Sequence, residues 1–149
     1  MSRLGALAWA VAVAFGLTAT LAVQARPYTP AEKREIPYSG ALPSCQDPAV
    51  LTTIRNRFSQ RERTYWRTGQ EIESFARVRE IGYRSNGPEF IPRRYCMARV
   101  SMANGRQRPV SYTIGEGLGM IGWGWGVEWC VHGLDYGLAF APDCRMARP

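Results

Sequence analysis

Histidine and lysine each occur once in this chain, as His132 and Lys33, and no C-x-x-C pair and no G-x-S-x-G stretch occurs in it. A lone histidine leaves any histidine-based catalytic set a single place to form. Without a C-x-x-C pair, the Cys130-x-His132 spacing does not by itself supply a zinc site. Without G-x-S-x-G, the nucleophile turn of the α/β-hydrolases is absent. The basic residues come with no nucleic-acid recognition motif, which sets nucleic acid aside as a partner.

What is present begins with MSRLGALAWAVAVAFGLTATLAVQA, residues 1–25. One basic residue, Arg3, precedes an apolar run from Leu4 to Val23 and the small-residue pattern Val23-Gln24-Ala25. These are the marks of a cleavable export signal, so the mature chain is expected to start at Arg26 and to be periplasmic or secreted. The competing reading is an uncleaved anchor, since the run approaches the roughly 20 residues that span a bilayer. Gly16, Thr18 and Thr20 interrupt that run, and no cluster of positive charge follows it. No transmembrane segment is expected after cleavage, and no cysteine lies near the cleavage point to carry a lipid.

Taking 25 residues from 149 leaves 124, enough for one domain. Taking Arg3 from 19 basic residues leaves 18 against 12 acidic ones, a net charge of +6. Such an excess favours anionic surfaces without choosing among them. Four cysteines, Cys45, Cys96, Cys130 and Cys144, follow the leader. An even count in a small exported domain reads as two disulfides. Cys130 with Cys144 across a turn would leave Cys45 with Cys96. Pairing of Cys45 with Cys130 or Cys144 stays open, because spacing does not fix connectivity.

Residues 26–44 carry four prolines and read as an extended arm. The single domain then runs over residues 45–149. Asp47-Pro48 opens a helix, since aspartate caps the first turn and proline fits its first position. Leu51, Ile54, Phe58 and Tyr65 recur at helical spacing, and Gly69 is a plausible stop. In residues 70–83, Ile72, Phe75, Val78 and Ile81 recur every third residue, as on a helix. A strand would instead place Ile72, Ser74, Ala76 and Val78 on one face. The strand is preferred for the second half, which ends at the turn signal Asn86-Gly87-Pro88.

Asn104-Gly105 predicts a hairpin between Tyr95–Met102 and Arg108–Ile114. Pro109 belongs at an edge or bulge. Trp123, Trp125, Val127, Trp129 and Val131 alternate with Gly124, Gly126, Glu128 and Cys130, the period of a strand with one apolar face. A turn through Gly133–Gly137 should return as a last strand, LAFAPDC. The expected fold is α+β: one main N-terminal helix packed on an antiparallel sheet of about four to five strands, stapled by disulfides.

No catalytic residue stands out. Ser111, His132 and Asp135 make a triad only on paper, and Glu116 with Glu128 would need to approach within roughly 5–10 Å to act as a glycosidase pair. The G-x-G-x-x-G match over Gly117–Gly122 opens a Gly/Trp strand where the dinucleotide fingerprint requires a helix. No cofactor and no metal are expected. The reading is a non-enzymatic cell-envelope or secreted module with a Gly/Trp-rich loop and strand. It would bind an anionic envelope polymer, a glycan or an envelope protein through Trp123, Trp125, Glu128, Arg99 and Arg108, with Trp129 buried. The alternative is a small hydrolase of envelope material using Glu116, Glu128 or His132.

Overall fold

The computed structural model describes residues 38–84 and 91–149. The leader, the arm up to Pro37 and the Asn86-Gly87-Pro88 turn lie outside these described residues.

Helix α1 spans Pro48–Arg61, with the Asp47 carboxylate accepting a hydrogen bond from the Ala49 N–H at 2.8 Å. Such a cap contributes about 1 kcal/mol. Its buried stripe is Val50, Ile54 and Phe58, one position off the expected Leu51, which is half-buried. The helix then widens into a π-turn over Glu62–Trp66. Tyr65 consequently points into solvent instead of joining the stripe, and Trp66 packs on Phe58 with ring centroids 6.0 Å apart. The chain leaves the helix at Arg67, φ 53°, two residues ahead of the predicted stop at Gly69. Glu62 is buried beside this exit, where its carboxylate accepts hydrogen bonds from the Thr68 N–H and hydroxyl.

Four strands follow: β1 (Ile72–Arg84), β2 (Arg93–Met102), β3 (Gln107–Glu116) and β4 (Trp125–Val131). They form an antiparallel meander in the order β1-β2-β3-β4. The whole of Ile72–Arg84 is strand, not its second half alone. Its register against β2 slips three times, at Ile72/Ser74, Ala76/Arg79 and Glu80/Gly82. Each slip adds one residue, so 13 residues of β1 span the 10 of β2. A bulge turns the local period from two to three, and this accounts for the every-third-residue pattern. Ile72, Phe75 and Val78 reach the core while Ser74 and Ala76 are exposed.

The β2–β3 hairpin turns through Ala103–Arg106, with the Met102 N–H bonded to the Arg106 carbonyl at 2.9 Å and the Gly105 N–H to the Met102 carbonyl at 2.8 Å. Only Gly105, not Asn104, takes positive φ. Pro109 lies where β4 ends: its carbonyl accepts the His132 N–H at 3.0 Å. A strand residue directs its N–H and C=O to the same side, so the missing proline donor falls at the finish of that ladder.

Alternate residues of the sheet make the inner face: Cys96, Ala98, Val100 and Met102 from β2, Val110, Tyr112 and Ile114 from β3, and Val127, Trp129 and Val131 from β4. α1 covers it. Cys45 bonds Cys96, joining the start of the helix to β2, and Cys130 bonds Cys144. The Tyr112 hydroxyl donates to the Cys45 carbonyl at 2.7 Å, and burial pushes this phenol well above its ordinary pKa.

No return strand forms after β4. Residues 133–144 run as turns, followed by a 3-10 turn over Arg145–Ala147. This C-terminal segment crosses the outer face of the sheet, where the Thr113 hydroxyl donates to the Ala147 carbonyl at 3.2 Å. Among the described residues no helix is long and apolar enough to cross a membrane.

Candidate functional site

The Gly/Trp stretch divides in two. Trp125, Val127, Trp129 and Val131 keep strand alternation, and Trp129 is buried against Phe58, with ring centroids 5.7 Å apart. Trp123 does not join them. It lies outside β4, after a 3-10 turn at Met120–Gly122, and is 75% exposed. Met120 and Ile121 stand beside it at 84% and 89% exposure. The β3–β4 connection therefore presents three large apolar side chains to solvent within four residues.

The glycines explain why this loop holds its shape. Leu118 folds back beneath the loop: a Cβ on Gly126 would lie 2.0 Å from the Leu118 carbonyl oxygen, and one on Gly115 would lie 2.4 Å from a Leu118 methyl. A Cβ on Gly119 would meet the Trp123 carbonyl oxygen at 1.9 Å. Hydrogen bonds from the N–H of Gly117 to the carbonyl of Gly124 (2.6 Å), Gly122 to Gly119 (3.3 Å) and Trp123 to Met120 (3.1 Å) close the turn. Ile121 adopts φ 55°, ψ 33°. For a β-branched residue that left-handed conformation costs about 1–2 kcal/mol, and here it accompanies a side chain turned away from the body. The loop half-buries Leu118 and leaves Met120, Ile121 and Trp123 exposed.

At the root of the loop, Glu116 anchors the incoming arm. Its carboxylate accepts hydrogen bonds from the Ser39 N–H (2.9 Å), the Ser39 hydroxyl (2.8 Å) and the Gly40 N–H (2.8 Å). Tyr83 donates to the Gly40 carbonyl at 2.6 Å, and the Tyr38 ring lies against Gly117.

The hydrolase candidates are placed apart. Glu116 has the parity of Ile114 on the inner face, whereas Glu128 has the parity of Cys130 on the outer face, so the two carboxylates point to opposite sides of the sheet. Glu128 pairs with Arg93 at 2.9 Å. Asp135 is spent on its own turn, accepting the N–H groups of Ala139 and Phe140.

His132 does meet Ser111, with Nε2 3.0 Å from Oγ, and its Nδ1 lies 3.2 Å from a carboxylate oxygen of Asp143. The connectivity is that of a serine hydrolase triad, but the burial is inverted. Ser111 is fully buried in the interior of β3, paired with both Met97 and Cys130, while the Asp143 side chain is 73% exposed. A nucleophile must meet a substrate carbonyl, and its orienting acid normally lies behind the histidine in the protein. Here the set acts as a bracket fastening the C-terminal segment to β3.

The remaining predicted residues separate as well. Arg108 folds inward and donates to the His132 carbonyl at 3.0 Å, a structural contact. Arg99 lies on the outer face opposite Pro109, in an open cleft of about 410 Å³ lined by Arg77, Arg79, Met97, Ala98, Arg99 and Pro109. Among the described residues no carboxylate lines it. Glu116 lies seven positions beyond Pro109 along β3, roughly 24 Å of strand, so Arg99 does not share a site with Trp123. The exposure of Met120 and Ile121 escaped the sequence reading, which took Trp123 as the start of the strand. Among the described residues no group of three or more His, Cys, Asp or Glu side chains could hold a metal ion. No protein family, curated protein or solved structure matches this chain.

Proposed function

We propose that this chain is a non-enzymatic, exported envelope or secreted module that binds its target through the β3–β4 loop. The observation that carries the reading is the outward display of Met120, Ile121 and Trp123 on a loop fixed by Leu118 and its glycines. Apolar surface held in water by a rigid frame favours association with something that covers it. The hydrolase alternative loses support from the opposed carboxylates and the buried Ser111. Export draws support from two disulfides, which persist in oxidising compartments.

The test is co-sedimentation with envelope fragments of the cells that make the protein. Replacing Met120, Ile121 and Trp123 together by serine should lower the bound fraction at least tenfold while leaving the unfolding midpoint unchanged. Undiminished binding by that variant would refute the reading.

A second contact is favoured by the arginine-lined cleft, which suits an anionic envelope polymer. Retention on an immobilised sulfated or phosphorylated polymer should fall when Arg77, Arg79 and Arg99 become glutamine. Equal retention of variant and wild type would remove this contact.

A further inference from the structure

We infer that the surface covering the β3–β4 tip is a lipid bilayer, with Met120 and Ile121 inserted among the acyl chains and Trp123 at the headgroup level. This rests on the reading above and names its target. The first argument is shape. Met120, Ile121 and Trp123 project from a tight turn instead of lining a groove or a flat face. Together they expose on the order of 500 Å², at the upper end of the apolar patches found on monomers. A fluid phase accepts a projecting tip of that size without needing a matching pocket.

The second argument is hydrogen bonding. Backbone groups brought to an apolar medium cost less when they are paired within the protein, and three N–H groups of the turn, those of Gly117, Gly122 and Trp123, are paired inside the loop. The third is charge. No ionisable side chain occurs from Gly117 to Val127. The carboxylates at either limit are engaged, Glu116 by Ser39 and Gly40 and Glu128 by Arg93.

The fourth is where the chain enters. Tyr38, Ser39 and Gly40, the first described residues, lie against Gly117 and Glu116 at the root of the tip. Trp123 and Tyr38, at the flanks of the loop, are the residue types that favour the membrane–water interface. The net positive charge of the chain adds attraction to anionic headgroups.

The experiment uses protein purified from cells that export it, mixed with vesicles of phosphatidylcholine containing about one third phosphatidylglycerol, the anionic lipid supplying the surface charge considered above. Lipids brominated on the acyl chains should quench part of the tryptophan emission, and that part should vanish in Trp123→Phe. Met120→Ser with Ile121→Ser should lower vesicle binding at least tenfold, with an unchanged unfolding midpoint showing that the fold is intact. Absence of quenching assignable to Trp123 would overturn the bilayer as the target. If envelope fragments were still bound through the tip after such a failure, a protein partner would take the bilayer's place and the broader reading would stand. If the tip variants instead abolished only self-association in gel filtration, a second copy of the chain would be the occupant. If neither vesicles nor envelope fragments distinguished the tip variants from wild type, both readings would fall together.

Discussion

Leu118 lies over Gly126 so closely that one methyl group at position 126 would sit 2.0 Å from the Leu118 carbonyl oxygen. Backbone cannot yield there as a flexible side chain would. Gly126→Ala should therefore cost about 1–3 kcal/mol, the usual range for overpacking, and should loosen the tip. At Gly124 nothing lies within 4 Å, but φ is +65°, so Gly124→Ala should cost about 1–2 kcal/mol for backbone reasons alone. Urea denaturation checks both, and a neutral Gly126→Ala would disprove the close approach.

Ile121 holds a left-handed backbone that asparagine tolerates better. Ile121→Asn should raise stability by about 0.5–1 kcal/mol, a fraction of the strain such a residue stores, and should weaken binding at the tip. Loss of stability in that variant would show that the isoleucine side chain contributes packing its exposure does not reveal.

Partial burial pushes the Glu116 carboxyl up, but the hydrogen bonds from the Ser39 N–H, the Ser39 hydroxyl and the Gly40 N–H outweigh it and leave the pKa below the ordinary glutamate value. A carboxyl lowered in the folded state stabilises above its unfolded pKa, and that contribution is lost as pH falls through the folded value. The arm should thus stay docked at neutral pH and come away below the ordinary glutamate range. Amide exchange at Ser39 and Gly40 reads this directly. Glu116→Gln should speed that exchange at neutral pH, and an unaltered rate would count against the anchor.

The inverted burial of Ser111 and Asp143 predicts structural consequences and no turnover. His132→Ala should cost about 1–3 kcal/mol by leaving the buried Ser111 hydroxyl without its partner, and should expose the C-terminal segment to proteolysis. Serine-directed fluorophosphonates should leave the folded protein unlabelled. Stoichiometric labelling at Ser111 would restore the hydrolase reading.

The disulfides differ in the chain they close. Replacing Cys130 and Cys144 by alanine removes a link across 14 residues and should cost roughly 3 kcal/mol, while removing Cys45–Cys96, across 51, should cost roughly 4 kcal/mol. Thermal unfolding of the two double variants should rank them in that order.

Much of this fold was legible in local signals. Asp47-Pro48 starts the helix, Asn104-Gly105 turns the hairpin, and alternation from Trp125 to Val131 defines β4, because each depends on a few neighbouring residues. The three bulges of β1 depend on pairing with β2, so its sequence period imitated a helix. Trp123 fitted the alternation but lies off the strand because Gly122 and Gly124 on either side of it take positive φ, 78° and 65°, a choice glycine leaves open in sequence. Asp143 replaced Asp135 beside His132 because the C-terminal residues fold as turns, bringing a more distant carboxylate to the ring.

The uneven pairing of β1 bears on what the molecule avoids. Among the described residues β1 is a free rim of the sheet, and an unpaired rim is a template on which another chain can lay a strand. Three extra residues break its repeat, Arg77 sits on it with φ 52°, and Arg77, Arg79 and Arg84 lie along it. An incoming strand would meet hydrogen-bonding groups out of step and a run of charged side chains of both signs, Glu73 and Glu80 among the arginines. Growth by sheet extension is hindered on that side, which lowers the risk that a protein carrying an oily tip in water seeds fibrils through β1.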